Sequence, residues 1–189
     1  MEFKKDKIVL DKVINNLDKL VLDFVRILEK KTDYVLVSGY VSILFGRSRI
    51  SEDIDMFVPK MKKPGFASLN KSLAKEFWCI NGGDIQELFD LLLKKHSVRY
   101  ARKGQVIPNI EVKFAREPSD FESLRGKIKV EVGKRNLFVS PIELQIAYKE
   151  KILKSPKDRE DALHLREVFK GNISGEKIKY YERLVMRHD

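Results

Sequence analysis

The sequence predicts an α/β (α+β) protein in which a mixed β-sheet flanked by helices is followed by a small helical segment. Short runs rich in β-branched and apolar residues alternate with period two and end at turns that contain glycine or proline, which is typical of strands. Longer stretches with apolar residues three and four positions apart indicate helices between and after these runs. Strands are predicted at residues 34–38, 53–58, 98–102, 110–114, 127–132 and 136–139.

The length of 189 residues, with 43% apolar residues, suits one compact domain with a helical appendage. We therefore predict a core at residues 1–139 and a C-terminal helical segment, residues 140–189, packed on it. The core is expected to contain helices at about 7–30, 68–77 and 85–95, a buried Trp78, and a polar connector at 115–126.

The composition limits which partners and which kinds of site the protein can have. A net charge of +10 favours a polyanion such as RNA, DNA or nucleotides, although the Lys- and Glu-rich surface of a heat-tolerant protein has a similar composition. The single cysteine, Cys79, excludes an internal disulfide framework and a cysteine-based zinc site. No signal peptide or transmembrane segment is visible, so we expect a cytoplasmic protein with no membrane partner.

Two carboxylates begin the strand predicted at residues 53–58. Side chains alternate across a strand, so Asp53 and Asp55 share one face while Ile54 and Met56 take the other. The backbone rise separates the two carboxylates by roughly 6.5–7 Å, and they repel unless a cation lies between them. A hard divalent cation such as Mg²⁺ binds oxygen ligands of this kind together with substrate phosphates.

A glycine turn precedes these carboxylates. Gly39 follows the strand at 34–38 and permits close backbone approach where a helix begins, and a helix N-terminus favours a phosphate. The stretch is not a Walker A loop, because Arg47 stands where that loop has lysine. The alternative is a buried strand, a tight turn and a solvated acidic edge.

Two Ser-Pro pairs mark helix starts in the C-terminal segment. Ser140 is expected to be an N-cap, with Pro141 in the first turn and Glu143 completing a capping box. Ser155 and Pro156 repeat this pattern.

The second of these helices carries two acids on a stripe that is otherwise apolar. Asp158, Asp161, Ala162 and Leu165 share one face of it. Buried charge needs a partner, and Lys149 on the preceding helix is a candidate.

Two sequence blocks together resemble a known family. The N-terminal block, residues 39–55, runs GYVSILFGR from Gly39 to Arg47 and ends in Asp53-Ile54-Asp55. It is similar to the signature of the DNA polymerase β-type nucleotidyltransferase superfamily, which has a strand, a glycine-led turn into a helix, and D-x-D on the next strand. The C-terminal block, residues 140–162, runs SPIELQIAYK and then KDREDA. It resembles the "SPEDLIAxK … KDxxDA" signature of minimal nucleotidyltransferases and AbiEii-type toxin nucleotidyltransferases.

This resemblance implies a nucleotidyltransferase-like fold and a function. Those enzymes use two metal ions to transfer a nucleoside monophosphate from a nucleoside triphosphate (NTP), such as ATP, and release pyrophosphate. The resemblance implies a supporting acid role for Asp158 and a lower-ranked, structural role for Asp161. The residues it implies for Mg²⁺ or Mn²⁺ and for catalysis are Asp53, Asp55 and Glu111. Those it implies for the nucleotide are Ser38, Gly39, Tyr40, Ser42, Arg47 and Lys149.

The third carboxylate, Glu111, has an alternative interpretation and a competitor. Glu111 shares a strand face with Asn109 and Lys113, and the alternative is an exposed Glu flanked by a lysine. Glu131, on the strand at 127–132, is the competitor for this position. The family usually has Asp in place of Glu111, and Gly or Ser in place of Tyr40, of which only the backbone N–H remains for phosphate.

The acceptor is expected to be RNA, tRNA in particular, or a protein hydroxyl. Two alternatives stay open. One is a catalytically silent relative that binds a nucleotide or nucleic acid as a regulator. The other is a toxin–antitoxin component whose activity an antitoxin partner holds off.

Overall fold

The computed structural model describes residues 1–188. Within that range nine strands form one mixed sheet in the order β1-β2-β8-β9-β3-β4-β7-β6-β5, with parallel pairs β2/β8, β9/β3 and β4/β7. The strands are β1 (Glu2–Phe3), β2 (Ile8–Leu10), β3 (Val35–Leu36), β4 (Asp53–Val58), β5 (Phe77–Cys79), β6 (Val98–Arg102), β7 (Asn109–Phe114), β8 (Ile128–Val132) and β9 (Arg135–Val139). The predicted mixed sheet with flanking helices is confirmed.

Helices flank the sheet, and every element after β9 is helical. The helices are α1 (Asn16–Leu28), α2 (Gly39–Leu44), α3 (Lys63–Leu73), α4 (Ile85–Leu93), α5 (Pro118–Arg125), α6 (Ile142–Tyr148), α7 (Pro156–Val168) and α8 (Gly175–Val185). A π-helical turn, Lys149–Leu153, continues α6, and a 3-10 turn follows α8. No helix within residues 1–188 is long and apolar enough to cross a membrane.

The predicted helix at about 7–30 is wrong at its start. Ile8 and Leu10 are buried on alternate positions and pair with β8, so this stretch is strand β2. The helix begins only at the N-cap Asn15, whose side chain accepts from the backbone N–H of Asp18 at 2.8 Å. The Asp18 carboxylate in turn accepts from the backbone N–H of Asn15 at 3.0 Å, which completes a capping box.

Three further predictions fail locally. The polar connector at 115–126 contains helix α5, which has proline in its first turn. The indole of Trp78 is partly exposed and donates to the carbonyl of Gln105 at 2.6 Å. Ser140 does not cap α6, because its Oγ is hydrogen-bonded to Ser123 Oγ at 3.0 Å. Glu143, expected in that capping box, instead accepts from the backbone N–H of Ser174 at 3.3 Å.

Candidate active site

Strands β4 and β7 place the three predicted carboxylates on one face of two adjacent strands. The strands run parallel with Asp55 opposite Glu111 and Asp53 opposite Asn109. On β4 the side chains of Ile54 and Met56 are buried, whereas Asp53 is exposed and Asp55 is half-buried. The predicted sharing of one face by the two aspartates is confirmed, and Glu111 lies on the adjacent strand at the same level.

Glu111 forms ion pairs with two cations, neither of which was assigned from the sequence. Lys113 Nζ lies 3.1 Å from Glu111 Oε2 and 2.7 Å from Asp55 Oδ1, so it bridges both carboxylates. Arg99 Nη2 lies 2.6 Å from Glu111 Oε1. Burial raises the pKa of Glu111, but Lys113 and Arg99 outweigh burial and hold this pKa below its ordinary value.

Asp53 has the opposite environment. Partial burial raises its pKa, and the negative charges of Glu111 and Asp55 raise it further. Among residues 1–188, no cation forms an ion pair with Asp53. Arg99 offsets part of this negative charge, and an excess of negative charge remains at the start of β4.

The residues present fit a divalent metal ion by their chemistry. Asp53, Asp55 and Glu111 offer only oxygen ligands, as Mg²⁺ and Mn²⁺ prefer. The buried Oδ1 of Asn109, on the strand position opposite Asp53, makes no hydrogen bond within the part of the chain that the structure describes. In that same part no three Asp, Glu, His or Cys side chains converge closely enough to hold a metal ion, and the ammonium of Lys113 lies between the paired carboxylates instead.

Glu131 lies elsewhere in the sheet. Its strand β8 is separated from β4 by β9 and β3. Strands lie about 4.8 Å apart, so Glu131 is roughly 14 Å from Asp55 and further from Glu111, measured across the strands. It forms an ion pair with Lys7 Nζ at 2.6 Å instead. The choice of Glu111 over Glu131 therefore agrees with the sheet order.

The glycine turn has an unusual backbone. Ser38 has φ 62° and ψ −136°, a conformation that non-glycine residues rarely adopt, and its backbone N–H donates to Gln145 Oε1 at 2.7 Å. Gly39 begins α2, and a Cβ there would lie 2.3 Å from Arg49 Nη2. Only glycine allows the guanidinium of Arg49 to approach the turn this closely.

Three predicted nucleotide-binding side chains are buried, and one of them, Lys149, is 1% exposed and paired with Asp161. Tyr40 is completely buried and its hydroxyl donates to Asp18 Oδ1 at 3.0 Å, so only its backbone lies at the turn. Ser42 is also completely buried, and its Oγ makes no hydrogen bond among residues 1–188.

A charge cluster joins the two blocks around Asp161. Arg49 donates to both Asp161 oxygens, from Nε at 3.0 Å and from Nη2 at 2.9 Å. Lys149 Nζ donates to Asp161 Oδ2 at 2.9 Å and lies 3.6 Å from Asp158 Oδ1, which confirms the predicted partner of the two acids. Arg47 forms an ion pair with Glu160. We call Arg49, Lys149, Asp158 and Asp161 the charge cluster.

A cleft of about 190 Å³ lies between the sheet and the C-terminal segment. Asp55 and Lys113 line it from the sheet, Ser38 from the turn, and Gln145 and Lys149 from the C-terminal block. The cleft therefore brings one D-x-D carboxylate and residues of both sequence blocks around one space.

Three residues of this site were not assigned from the sequence. Lys113 had a usable signal, because it lies two positions after Glu111 on the same strand face. Arg49 had none, since it reaches Asp161 through a tertiary contact across the fold. Arg99 had one, because it lies directly opposite Glu111 when the consecutive strands β6 and β7 pair antiparallel.

No protein-family model matches the sequence, and a search of curated proteins finds no match. Among solved structures, the antibiotic-resistance factor ANT(2'')-Ia aligns with a TM-score of 0.55 and 12% identity, over 93% of this chain and 94% of that chain. An antigenic nucleotidyltransferase-like protein from Paracoccidioides brasiliensis aligns with a TM-score of 0.50 and 14% identity, over 90% and 87% of the two chains. These likenesses concern the fold, and the chain therefore has a nucleotidyltransferase-like fold.

Proposed function

We propose that this protein is a nucleotidyltransferase that moves a nucleoside monophosphate from an NTP to an acceptor hydroxyl. One observation carries the proposal. The D-x-D carboxylates of β4 and Glu111 of β7 lie side by side on one sheet face, and Asp55 opens onto the cleft that Lys149 and Ser38 also line. The fold of the chain agrees with this activity.

Asp53, Asp55 and Glu111 would hold the divalent cation, Mg²⁺ or Mn²⁺. When bound, the cation supplies positive charge for the phosphates and lowers the pKa of the acceptor hydroxyl. In the reaction the acceptor hydroxyl releases its proton to solvent and its oxygen forms a bond to the α-phosphorus. The bond from that phosphorus to the oxygen that bridges to the β-phosphate breaks, and pyrophosphate leaves.

The cations of the cleft suit the phosphate side of this reaction. Lys149 lines the cleft with a side chain that is only 1% exposed and paired with Asp161, and Lys113 adds a second, more exposed ammonium beside Asp55. The backbone at Ser38 and Gly39 is held in a fixed conformation by Gln145. We assign these groups to orienting the triphosphate, with Asp158 supporting Lys149. Arg47 contributes charge at the other end of α2.

The net charge of the protein indicates which acceptor to test first. A net charge of +10 favours an RNA, and we propose a tRNA or another RNA as the first acceptor to test and a protein hydroxyl as the second. An AbiEii-type toxin held off by an antitoxin is the setting that the C-terminal block suggests. RNA affinity should fall steeply as salt rises, because phosphate contacts release counterions.

The test is incubation with each labelled NTP, Mg²⁺ or Mn²⁺, and total cellular RNA and protein. Asp53→Asn is compared with Glu131→Gln as a matched control, because the Glu131 carboxylate lies three strands away from β4 in the same sheet. Label is expected on an RNA or protein band with wild type and Glu131→Gln, and not with Asp53→Asn. Full transfer by Asp53→Asn would show that the assigned site is wrong. Cation-dependent NTP binding without transfer would favour the silent regulator.

A further inference from the structure

Lys113 lies where a cation would bind between Asp55 and Glu111. Strand β7 places it two residues after Glu111, on the same face. Its Nζ contacts Asp55 Oδ1 at 2.7 Å and Glu111 Oε2 at 3.1 Å. These are distances of charge-assisted hydrogen bonds, so one ammonium bridges two carboxylates that face each other on neighbouring strands. Without it the two like charges would destabilise this pair of strands.

The two carboxylates depend on Lys113 to different degrees. Glu111 has a second cation, because Arg99 Nη2 reaches its other oxygen at 2.6 Å from the neighbouring strand β6. Among residues 1–188, Asp55 forms an ion pair with Lys113 alone. Departure of Lys113 would therefore leave Glu111 oriented and paired, and would free the Asp55 carboxylate.

A divalent cation and this ammonium cannot use the same oxygens together. An ion bound to Asp55 Oδ1 and Glu111 Oε2 would stand within a few ångströms of Nζ, and like charges at such a distance repel strongly. Lys113 has space to leave, because its side chain is one-third exposed and lines the cleft. Its flexible stem allows the ammonium to turn away from the strands while its backbone stays in the sheet.

We propose that Lys113 is a positioning residue that neutralises Asp55 and Glu111 before a divalent cation binds, and that the cation displaces it into the cleft. The inference builds on the proposed function. In the cleft the displaced ammonium joins Lys149 near the turn at Ser38, where we assign the triphosphate. Cation binding and phosphate binding would thus be coupled through one side chain.

The experiment measures Mn²⁺ binding to the nucleotide-free protein from the electron paramagnetic resonance signal of free Mn²⁺. Lys113→Met keeps the length of the side chain and removes the charge. Lys7→Met is the matched control, because Lys7 also forms a carboxylate pair on the sheet, with Glu131. Lys113→Met is expected to bind Mn²⁺ about tenfold more tightly than wild type and to melt at a lower temperature without metal. Lys7→Met is expected to bind Mn²⁺ as wild type does.

The outcomes separate this inference from the proposed function. If Lys113→Met binds Mn²⁺ no more tightly than wild type while wild type transfers a nucleotide, the inference is overturned and the function stands. If Lys113→Met binds Mn²⁺ more tightly and no NTP is ever transferred, displacement is supported and the function falls. Equal tightening by Lys7→Met would assign the effect to net charge, and would also overturn the inference.

Discussion

Asp161→Asn tests the charge cluster that joins the C-terminal block to the glycine turn. The carboxylate is completely buried and accepts from Arg49 through both oxygens and from Lys149 through one. Asparagine keeps the size of the side chain, but it removes the negative charge and replaces one acceptor with a donor. The two donors would then face an amide, and Arg47, whose Nε lies 3.7 Å from Asp161 Oδ1, would lose a nearby negative charge.

The size of the effect follows from the environment of the two cations. Removal of one partner from a buried ion pair costs about 3–5 kcal/mol. Lys149 is only 1% exposed, so water cannot solvate its charge in place. Two features reduce the loss: Arg49 is 16% exposed and also donates to the Ile50 carbonyl at 3.2 Å, and Lys149 keeps Asp158 at 3.6 Å. We expect the free energy of unfolding to fall by about 3 kcal/mol.

The pH dependence of stability gives a second test of Asp161→Asn. Burial raises the pKa of Asp161, but hydrogen bonds from Arg49 and Lys149 outweigh burial and hold this pKa below its ordinary value. A lowered pKa in the folded state adds stability that is fully present above the unfolded-state pKa, about 3.9. That stability is lost as the pH falls through the folded-state pKa. Urea unfolding from pH 7 down to acid should therefore show a shallower acid loss for Asp161→Asn than for wild type.

Glu160→Gln is the matched control. Glu160 precedes Asp161 on α7 and forms an ion pair with Arg47, but its side chain is 62% exposed. Glu160→Gln is expected to lower the free energy of unfolding by less than about 1 kcal/mol, as for other surface ion pairs. If Asp161→Asn also loses less than about 1 kcal/mol, or keeps the wild-type acid slope, apolar packing and not the charge cluster fastens α7 to the core.

Three further variants test single contacts. Tyr40→Phe removes a buried hydrogen bond and should cost about 1–2 kcal/mol in urea unfolding; NTP affinity, measured by titration, should not change because the side chain points into the core. Gly39→Ala puts a methyl group against the guanidinium of Arg49, which two hydrogen bonds to Asp161 hold in place, so thermal unfolding should occur several degrees lower; wild-type stability would show that Arg49 moves aside. Ser123→Ala leaves the buried Oγ of Ser140 unpaired and should cost about 1–2 kcal/mol, while the double alanine variant should lose less than the sum of both single variants.

The parts of the site that could be predicted from sequence are those set by local geometry. Alternation along β4 fixes that Asp53 and Asp55 share a face, whatever the rest of the chain does. The same rule places Glu111 on one face of β7. The pairing of β7 with β4 is a tertiary contact, and only the family resemblance predicted it.

The missed elements are those in which local pattern and tertiary contact disagree. Leu10 continues the helical spacing of the apolar residues that follow, yet pairing with β8 makes Ile8–Leu10 a strand. Helix α5 is mostly polar, so it lacks a broad apolar stripe. Tyr40 stands at a position that resembles a phosphate site, but its ring fills the core and meets Asp18 of α1. Propensity and motif position cannot show such partners.

The C-terminal block fixes the conformation of the glycine turn at the start of the N-terminal block, so the two blocks form one structural unit. Ser38 holds a positive φ that costs about 1–3 kcal/mol, and such a conformation persists only where surrounding contacts determine it. Gln145 of the C-terminal block accepts its backbone N–H at 2.7 Å, and Asp161 of the same block holds Arg49 against Gly39. The glycine turn therefore owes its geometry to helices that follow the last strand. A chain cut after Val139 would keep the carboxylates of the sheet but lose both contacts that hold the turn.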